Sequence, residues 1–255
     1  MQFAVSSAVS QRPAAIRCVA LDAVGTLIEA WPPVAEAYAQ VGRRHGSCLE
    51  RDQVQRALRE AFAACLENDR VDGPDEFACS EESERARWRW IVGEVFSELG
   101  PVDAVDRCFE ELYEHFGKAS SWRCYDDVAA TVARIEELGL GMVIASNFDR
   151  RLHAVCLGWP PLRSAQAVVV SSEVGWRKPS RRFFEALVSA CGCRAEEVLM
   201  VGDDPVNDVR GALASGVQAV RVDRSAGTVA GDRELSRLSR PAVIGSLIGL
   251  EAWYR

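Results

Sequence analysis

Apolar and polar positions follow two different rhythms along this chain. Over residues 34–45, 52–67, 81–99 and 102–116 the apolar residues recur at helical spacing, and the stretch from 31 to 117 holds no clear strand. Trp31-Pro32-Pro33 opens that stretch, since prolines are tolerated where the first helical N–H groups lack partners, and Gly46 closes its first helix. On either side, short apolar runs suited to buried strands alternate with helical segments. The first run, within 16–26, ends abruptly at Asp22 and breaks at Gly25-Thr26. Later strands are expected over 142–145, 168–171, 198–201 and 218–222, with helices over 127–138, 149–157, 180–190 and 206–214 between them.

Strands separated by helices imply parallel β–α–β units. The expected fold is therefore α/β, a doubly wound parallel sheet of Rossmann-like type with an inserted all-helical cap domain. The boundaries read as a tail over 1–15, a sheet core over 16–30 and 118–255, and a helical cap over 31–117. A loop is expected over 225–239, and there is no internal repeat.

Composition narrows the function classes. A length of 255 residues with 48% hydrophobic content can bury a sizeable core, and no run approaches the roughly 18 apolar residues of a membrane span. The first residues, MQFAVSSAVSQRPAA, lack a basic leader with a long apolar centre, so a cytoplasmic location is expected. A net charge of −7 argues against a nucleic-acid surface but leaves room for a local basic pocket. Nine scattered cysteines read as small core residues in a reducing compartment, and Cys191 with Cys193 lacks the further ligands of a zinc site. The oligomeric state is left open.

The chemistry sits where strands end. In open α/β sheets ligands bind at the carboxyl ends of the strands, so Asp22 faces a crevice, although one strand-end Asp alone could merely cap a turn. The 142–145 strand runs into Ser146-Asn147, the 198–201 strand into Gly202-Asp203-Asp204 with Asn207-Asp208 following, and Lys178-Pro179 comes shortly after the 168–171 strand. Carboxylates from Asp22 and Asp203 suit a hard cation such as Mg²⁺, which takes few protein ligands and keeps water and phosphate oxygens. Ser146 and Lys178 suit the remaining phosphate oxygens, the lysine as a point charge. Within the helical insert, Tyr38, the pair Trp88 and Trp90, and a row of arginines at 85, 87 and 89 are candidates for substrate contact, or simply an interface and a solvated face.

Asp22-Ala23-Val24-Gly25-Thr26, Ser146-Asn147, Lys178-Pro179 and Gly202-Asp203 through Asp208, in this order, resemble the four motifs of the haloacid dehalogenase-like hydrolase superfamily. The insert between the first and second motifs places the resemblance in the helical-cap branch, and SNFDRRL, GWRKP and PPVAEAY are similar to its rhythmically expressed gene 2-like group. The resemblance implies a Mg²⁺-dependent phosphohydrolase acting on a small phosphorylated metabolite through an aspartyl phosphate on Asp22. Mg²⁺ would be held by Asp22, the Val24 carbonyl and Asp203, with Asp208 behind them. Thr26, Ser146, Asn147 and Lys178 would contact phosphate or the nucleophile.

One departure bears on turnover. Phosphatases of this superfamily usually carry a second Asp two residues after the nucleophile, which protonates the leaving group and then activates water; here that residue is Val24. General acid–base catalysis contributes about 10²–10⁴-fold, so alcohol phosphates should be cleaved slowly unless Asp149, Asp204 or His45 stands in. Two other readings stay open. One is a binding or regulatory protein that has lost turnover. The other is a different reaction on the same nucleophile: a haloacid dehalogenase, against which Gly202-Asp203 speaks, or a phosphonoacetaldehyde hydrolase, against which the scarcity of lysines speaks, with only Lys118 and Lys178 in the chain.

Overall fold

Along β1 (Cys18–Leu21) Val19 and Leu21 face one way and Cys18 and Ala20 the other, and all four are buried, as a strand covered on both faces requires. The computed structural model describes residues 14–68, 76–100, 102–225 and 242–254. β1 lies within a six-stranded sheet ordered β5-β4-β1-β6-β7-β8, all neighbours parallel, with β4 at Gly141–Ser146, β5 at Ala167–Val170, β6 at Val198–Gly202, β7 at Gln218–Val222 and β8 at Ala242–Ile244. One face packs against α5 (Val128–Glu137) and α6 (Arg151–Gly158), the other against α8 (Arg181–Cys191) and α9 (Gly211–Ala214). This is the doubly wound, Rossmann-like α/β architecture.

The order of the strands makes the crevice. The chain leaves β1, builds β4 and β5 on one side, then crosses to build β6 and β7 on the other, so the switch in direction falls at the carboxyl end of β1. Leu21 pairs with both Ile144 of β4 and Val201 of β6, which brings the three strand ends level.

Four helices, α1 (Val34–Arg44), α2 (Arg51–Asn68), α3 (Glu81–Val95) and α4 (Val102–Phe116), stand between β1 and β4 in the chain and bury an apolar cluster of their own around Tyr38, Ile91, Phe96 and Phe109. They leave and rejoin the sheet through two short antiparallel strands, β2 (Ile28–Ala30) and β3 (Trp122–Cys124). Three residues apiece are too few to show a periodicity of two, which is why neither strand is legible in the sequence.

Several expected bounds shift. α3 stops at Val95, where Phe96 turns the chain back on itself, rather than at 99. The helix expected over 206–214 is wound in two pieces, a π-helical turn at Pro205–Arg210 followed by α9. Its winding follows from Asp204, which caps the turn through Val206 and Asn207 while its carbonyl accepts from both Asp208 and Val209. A short helix α7 (Ser171–Val174), strand β8 and a 3₁₀ stretch at Leu247–Trp253 were not expected. The tail over 1–15 and the loop over 225–239 lie almost wholly outside the described residues. Among the described residues no helix is long and apolar enough to cross a membrane.

Candidate active site

Three strand ends and one loop deliver the site. Asp22 follows β1, its N–H donating to Val201 O at 2.8 Å; Ser146 ends β4; Asp203 follows β6; and Lys178 reaches in from the loop between α7 and α8. Asp22, Ser146, Lys178 and Asp208 are buried, and Asp203 is partly exposed. The Lys178 ammonium places its three donors on Asp22 Oδ1 at 2.7 Å, Asp208 Oδ1 at 2.6 Å and Ala145 O at 2.9 Å. Asp208, expected behind the other acids, thus meets the lysine directly.

Asn147 explains how the lysine is aimed. Its amide donates to Lys178 O at 3.0 Å and its Oδ1 accepts from Lys178 N–H at 2.8 Å, so the side chain that follows β4 holds the main chain of the lysine loop. The carboxylates are supported in turn. Asp208 Oδ2 accepts from Asp204 N–H at 3.0 Å, and Arg221 donates to the Asp203 carbonyl at 3.2 Å. Arg224 donates to the Thr26 carbonyl and to Asp127, tying the loop after β1 to the sheet. Arg221, Arg224 and Asp127 carry no motif signal; only the fold brings them here.

Two glycines are dictated by close approach. Gly25 has φ +86°, and a Cβ there would lie 2.6 Å from Asp203 Oδ2; at Gly202 a Cβ would lie 2.1 Å from Asp208 Oδ2. The acids are packed so tightly against the backbone that only glycine fits.

Burial and crowding set the electrostatics. Burial pushes the Asp22 carboxyl up, to about 7, with Lys178 opposing the rise and Asp208 and Asp203 adding to it. Asp203 is raised by burial and by the charge of Asp208. Burial works against the Lys178 ammonium, but Asp208 and Asp22 outweigh it and hold the group above its ordinary value. Oxygens of Asp22, Asp203 and Asp208 lie within 4.8 Å of one another. Three hard oxygen donors that repel one another when ionised fit a divalent cation, whose charge would relieve that repulsion. The Thr26 hydroxyl is fully buried and has no hydrogen-bond partner among the described residues, which suits it to a polar ligand atom.

Comparison with known proteins decides the family. The haloacid dehalogenase-like hydrolase profile matches residues 16–216. The chain belongs to the haloacid dehalogenase-like hydrolases. Among relatives of this hydrolase, haloacid dehalogenase-like hydrolase domain-containing protein 3 of Mus musculus is 31% identical over 210 residues, 81% of this chain and 82% of that one. Phosphoserine phosphatase of Thermus thermophilus is 35% identical over 135 residues, 52% of this chain and 53% of its own. The crystal structure of a HAD phosphatase from Thermococcus onnurineus superposes with a TM-score of 0.61 at 20% identity, over 93% of this chain and 97% of that one.

Beside the acids of this hydrolase, a cavity of about 400 Å³ separates the strand ends from the inserted helices. Val24, 39% exposed, forms part of its floor with Asn147 and Phe148, while Tyr38 and Trp88 reach it from the helices. Arg85 does not: it pairs with Glu110 at 2.5 Å and lies over the Tyr113 ring. Among the described residues no carboxylate lines this cavity. The three stand-ins for a missing acid are occupied elsewhere. Asp149 is buried in a two-point ion pair with Arg151, Asp204 caps the π-helical turn, and His45 contacts Glu111 at 2.7 Å beyond the far end of α1.

Proposed function

We propose that this protein is a Mg²⁺-dependent phosphohydrolase for phosphoryl compounds whose leaving group departs without a proton, such as aryl or acyl phosphates. The observation that carries this reading is the meeting of Asp22, Lys178, Asp203 and Asp208 beside a cavity whose floor carries Val24 where a proton donor would be needed. An Asp22 oxygen attacks phosphorus and the bond from phosphorus to the leaving oxygen breaks, that oxygen keeping the electron pair. Water then attacks phosphorus, the bond to Asp22 breaks, and both protons of the water leave with dihydrogen phosphate. Lys178 favours the ionised form of Asp22 and offsets charge on the transferred group. Ser146, Thr26 and the main chain at Asn147 hold phosphoryl oxygens, the buried Thr26 hydroxyl gaining the partner it lacks. When bound by Asp22, Asp203 and the Val24 carbonyl, with Asp208 behind them, Mg²⁺ supplies positive charge to the phosphoryl oxygens. The helical insertion acts as a cap that excludes water from the cavity.

The test is hydrolysis of p-nitrophenyl or acetyl phosphate against a sugar phosphate, with Mg²⁺ or EDTA, for wild type and Asp22→Asn. Turnover of the first two far above the sugar phosphate, needing both Mg²⁺ and Asp22, is the expected result. Equal rates on both classes would sink the leaving-group argument. No turnover above the Asp22→Asn background, with phosphate or Mg²⁺ still bound, would favour a binding or regulatory protein, the reading that Val24 also supports.

A further inference from the structure

The cavity has a chemical character of its own. Aromatic rings dominate its wall: Tyr38, Phe62 and Trp88 from the inserted helices, Trp122 and Phe148 from the sheet side, with Phe62 and Trp88 edge to face at 5.7 Å. Such rings bind flat apolar bodies through their faces and edges and offer sugar hydroxyls little to bond. Helix α2 supplies one whole strip of the wall. Gln55, Leu58, Arg59 and Phe62 recur at intervals of three and four residues, hence on one face, and all four line the cavity.

Two arginines line this space, and they differ. Arg151 is neutralised by Asp149, which accepts from its Nε at 2.8 Å and its Nη2 at 2.7 Å. Arg59 has no ion-pair or hydrogen-bond partner among the described residues, and the positions three and four away on its helix, Gln55, Arg56, Phe62 and Ala63, include no acid. Arg59 and Gln55 are both exposed, so the rim of the cavity carries, on the strip contributed by α2, a solvated positive charge without a described counter-charge, with the Gln55 amide one turn away. No described carboxylate lines the cavity to cancel it.

We propose that the cavity takes a planar aromatic leaving group bearing a carboxylate, and that Arg59, assisted by Gln55, binds that carboxylate through its paired N–H donors. The substrate class is then a carboxylated aryl phosphate; the inference rests on the phosphohydrolase reading for its phosphoryl end. Guanidinium and carboxylate are matched in shape for two parallel hydrogen bonds. The aromatic body supplies the stabilised leaving anion that Val24 demands.

The experiment compares phenyl phosphate with 3- and 4-carboxyphenyl phosphate in the presence of Mg²⁺, for wild type and Arg59→Gln. The better carboxylated isomer is expected to exceed phenyl phosphate in kcat/KM by about two- to fivefold, what one exposed ion pair supplies. Arg59→Gln should bring that ratio to about one, and Arg59→Lys should restore part of it. A second arm needs no turnover: binding of 3- and 4-hydroxybenzoate against phenol to Asp22→Asn protein, read by quenching of tryptophan fluorescence. Preference for a hydroxybenzoate that vanishes in Asp22→Asn/Arg59→Gln supports the pocket even where no phosphate ester is cleaved, so that failure of the phosphohydrolase reading is told apart. Hydrolysis of phenyl phosphate with no carboxylate preference in either arm, or a preference untouched by Arg59→Gln, would overturn the assignment.

Discussion

At the ends of β1, β4 and β6 the polar side chains are buried and matched to one another: one ammonium against two carboxylates and a carbonyl, one amide clamped on a main chain, two glycines cut to the size of the acids beside them. In the adjoining cavity the walls are aromatic, and the charge on Arg59 has no partner among the described residues. The first region is specified residue by residue, because a buried charge without a partner costs several kcal/mol and nearly any substitution leaves one behind. The second is specified only in outline, because one apolar ring can replace another at small cost as long as volume is kept. The contrast teaches where the two halves of a reaction are encoded: the handling of the phosphoryl group in the paired charges, and the choice of leaving group in the cavity and at Val24.

The largest expected effect breaks the paired region. Lys178→Met leaves Asp22 and Asp208 buried without their cation, and should cost about 3–5 kcal/mol in urea unfolding at pH 8 with EDTA present. Mg²⁺ should recover part of the loss, since a cation among the acids replaces the missing charge, and it should raise the melting temperature of the variant more than that of wild type. A loss under about 1 kcal/mol would mean that the acids find other partners, and the distinction between the two regions would fail.

A smaller effect sharpens the comparison from the cavity side. Val24→Asp puts a carboxyl on the cavity floor, where a leaving oxygen would need its proton. Hydrolysis of a sugar phosphate should rise about 10²-fold, some 2.7 kcal/mol of barrier, while p-nitrophenyl phosphate changes little because its leaving group needs no acid. A rise on both substrates alike would assign the carboxyl some other role; no rise on either would make the aromatic wall, rather than the missing proton donor, the bar to sugars.

The two regions also differ in how far they can be read from the chain. Asp22, Ser146, Lys178 and Asp203 are visible because each terminates or follows an apolar run, and the sheet rule sends such residues to one crevice. The role of Asn147 is not visible, since its partner is the main chain of a residue 31 positions away. Arg224 and Asp127 meet across 97 residues with no spacing to announce them. In the helical insertion the sequence shows rings and arginines but not which of them turn inward: Trp88 lines the cavity while Arg85, three residues earlier, is drawn to Glu110. Helical periodicity separates buried from exposed faces, but it does not say which neighbour a half-buried side chain will choose.

The smallest effect is one of pH. Burial raises Asp22 from an ordinary 3.8 to about 7, so between those values the folded, metal-free protein holds a proton that the unfolded chain has released. Its contribution to stability is full below the lower value and is lost as pH rises through the upper one. Asp203 and Glu84 are also raised, chiefly by burial, and act in the same sense; His115, lowered from 6.5 by burial, acts against them; Lys178, raised from 10.5, acts only in more alkaline solution; and Asp127, lowered from 3.8, acts only in more acidic solution. Urea unfolding in EDTA should therefore show stability falling from pH 5 to pH 8, and Asp22→Asn should flatten the curve by a slope of at most about 1.4 kcal/mol per pH unit, the share of one proton. Mg²⁺ should turn the trend around, because the ion binds the carboxylate and competes with the proton, so its stabilising effect grows with pH. Identical slopes for wild type and Asp22→Asn would show that Asp22 is already ionised in the metal-free fold, with Lys178 outweighing burial. The paired region would then stand ready for phosphoryl transfer before any cation arrives.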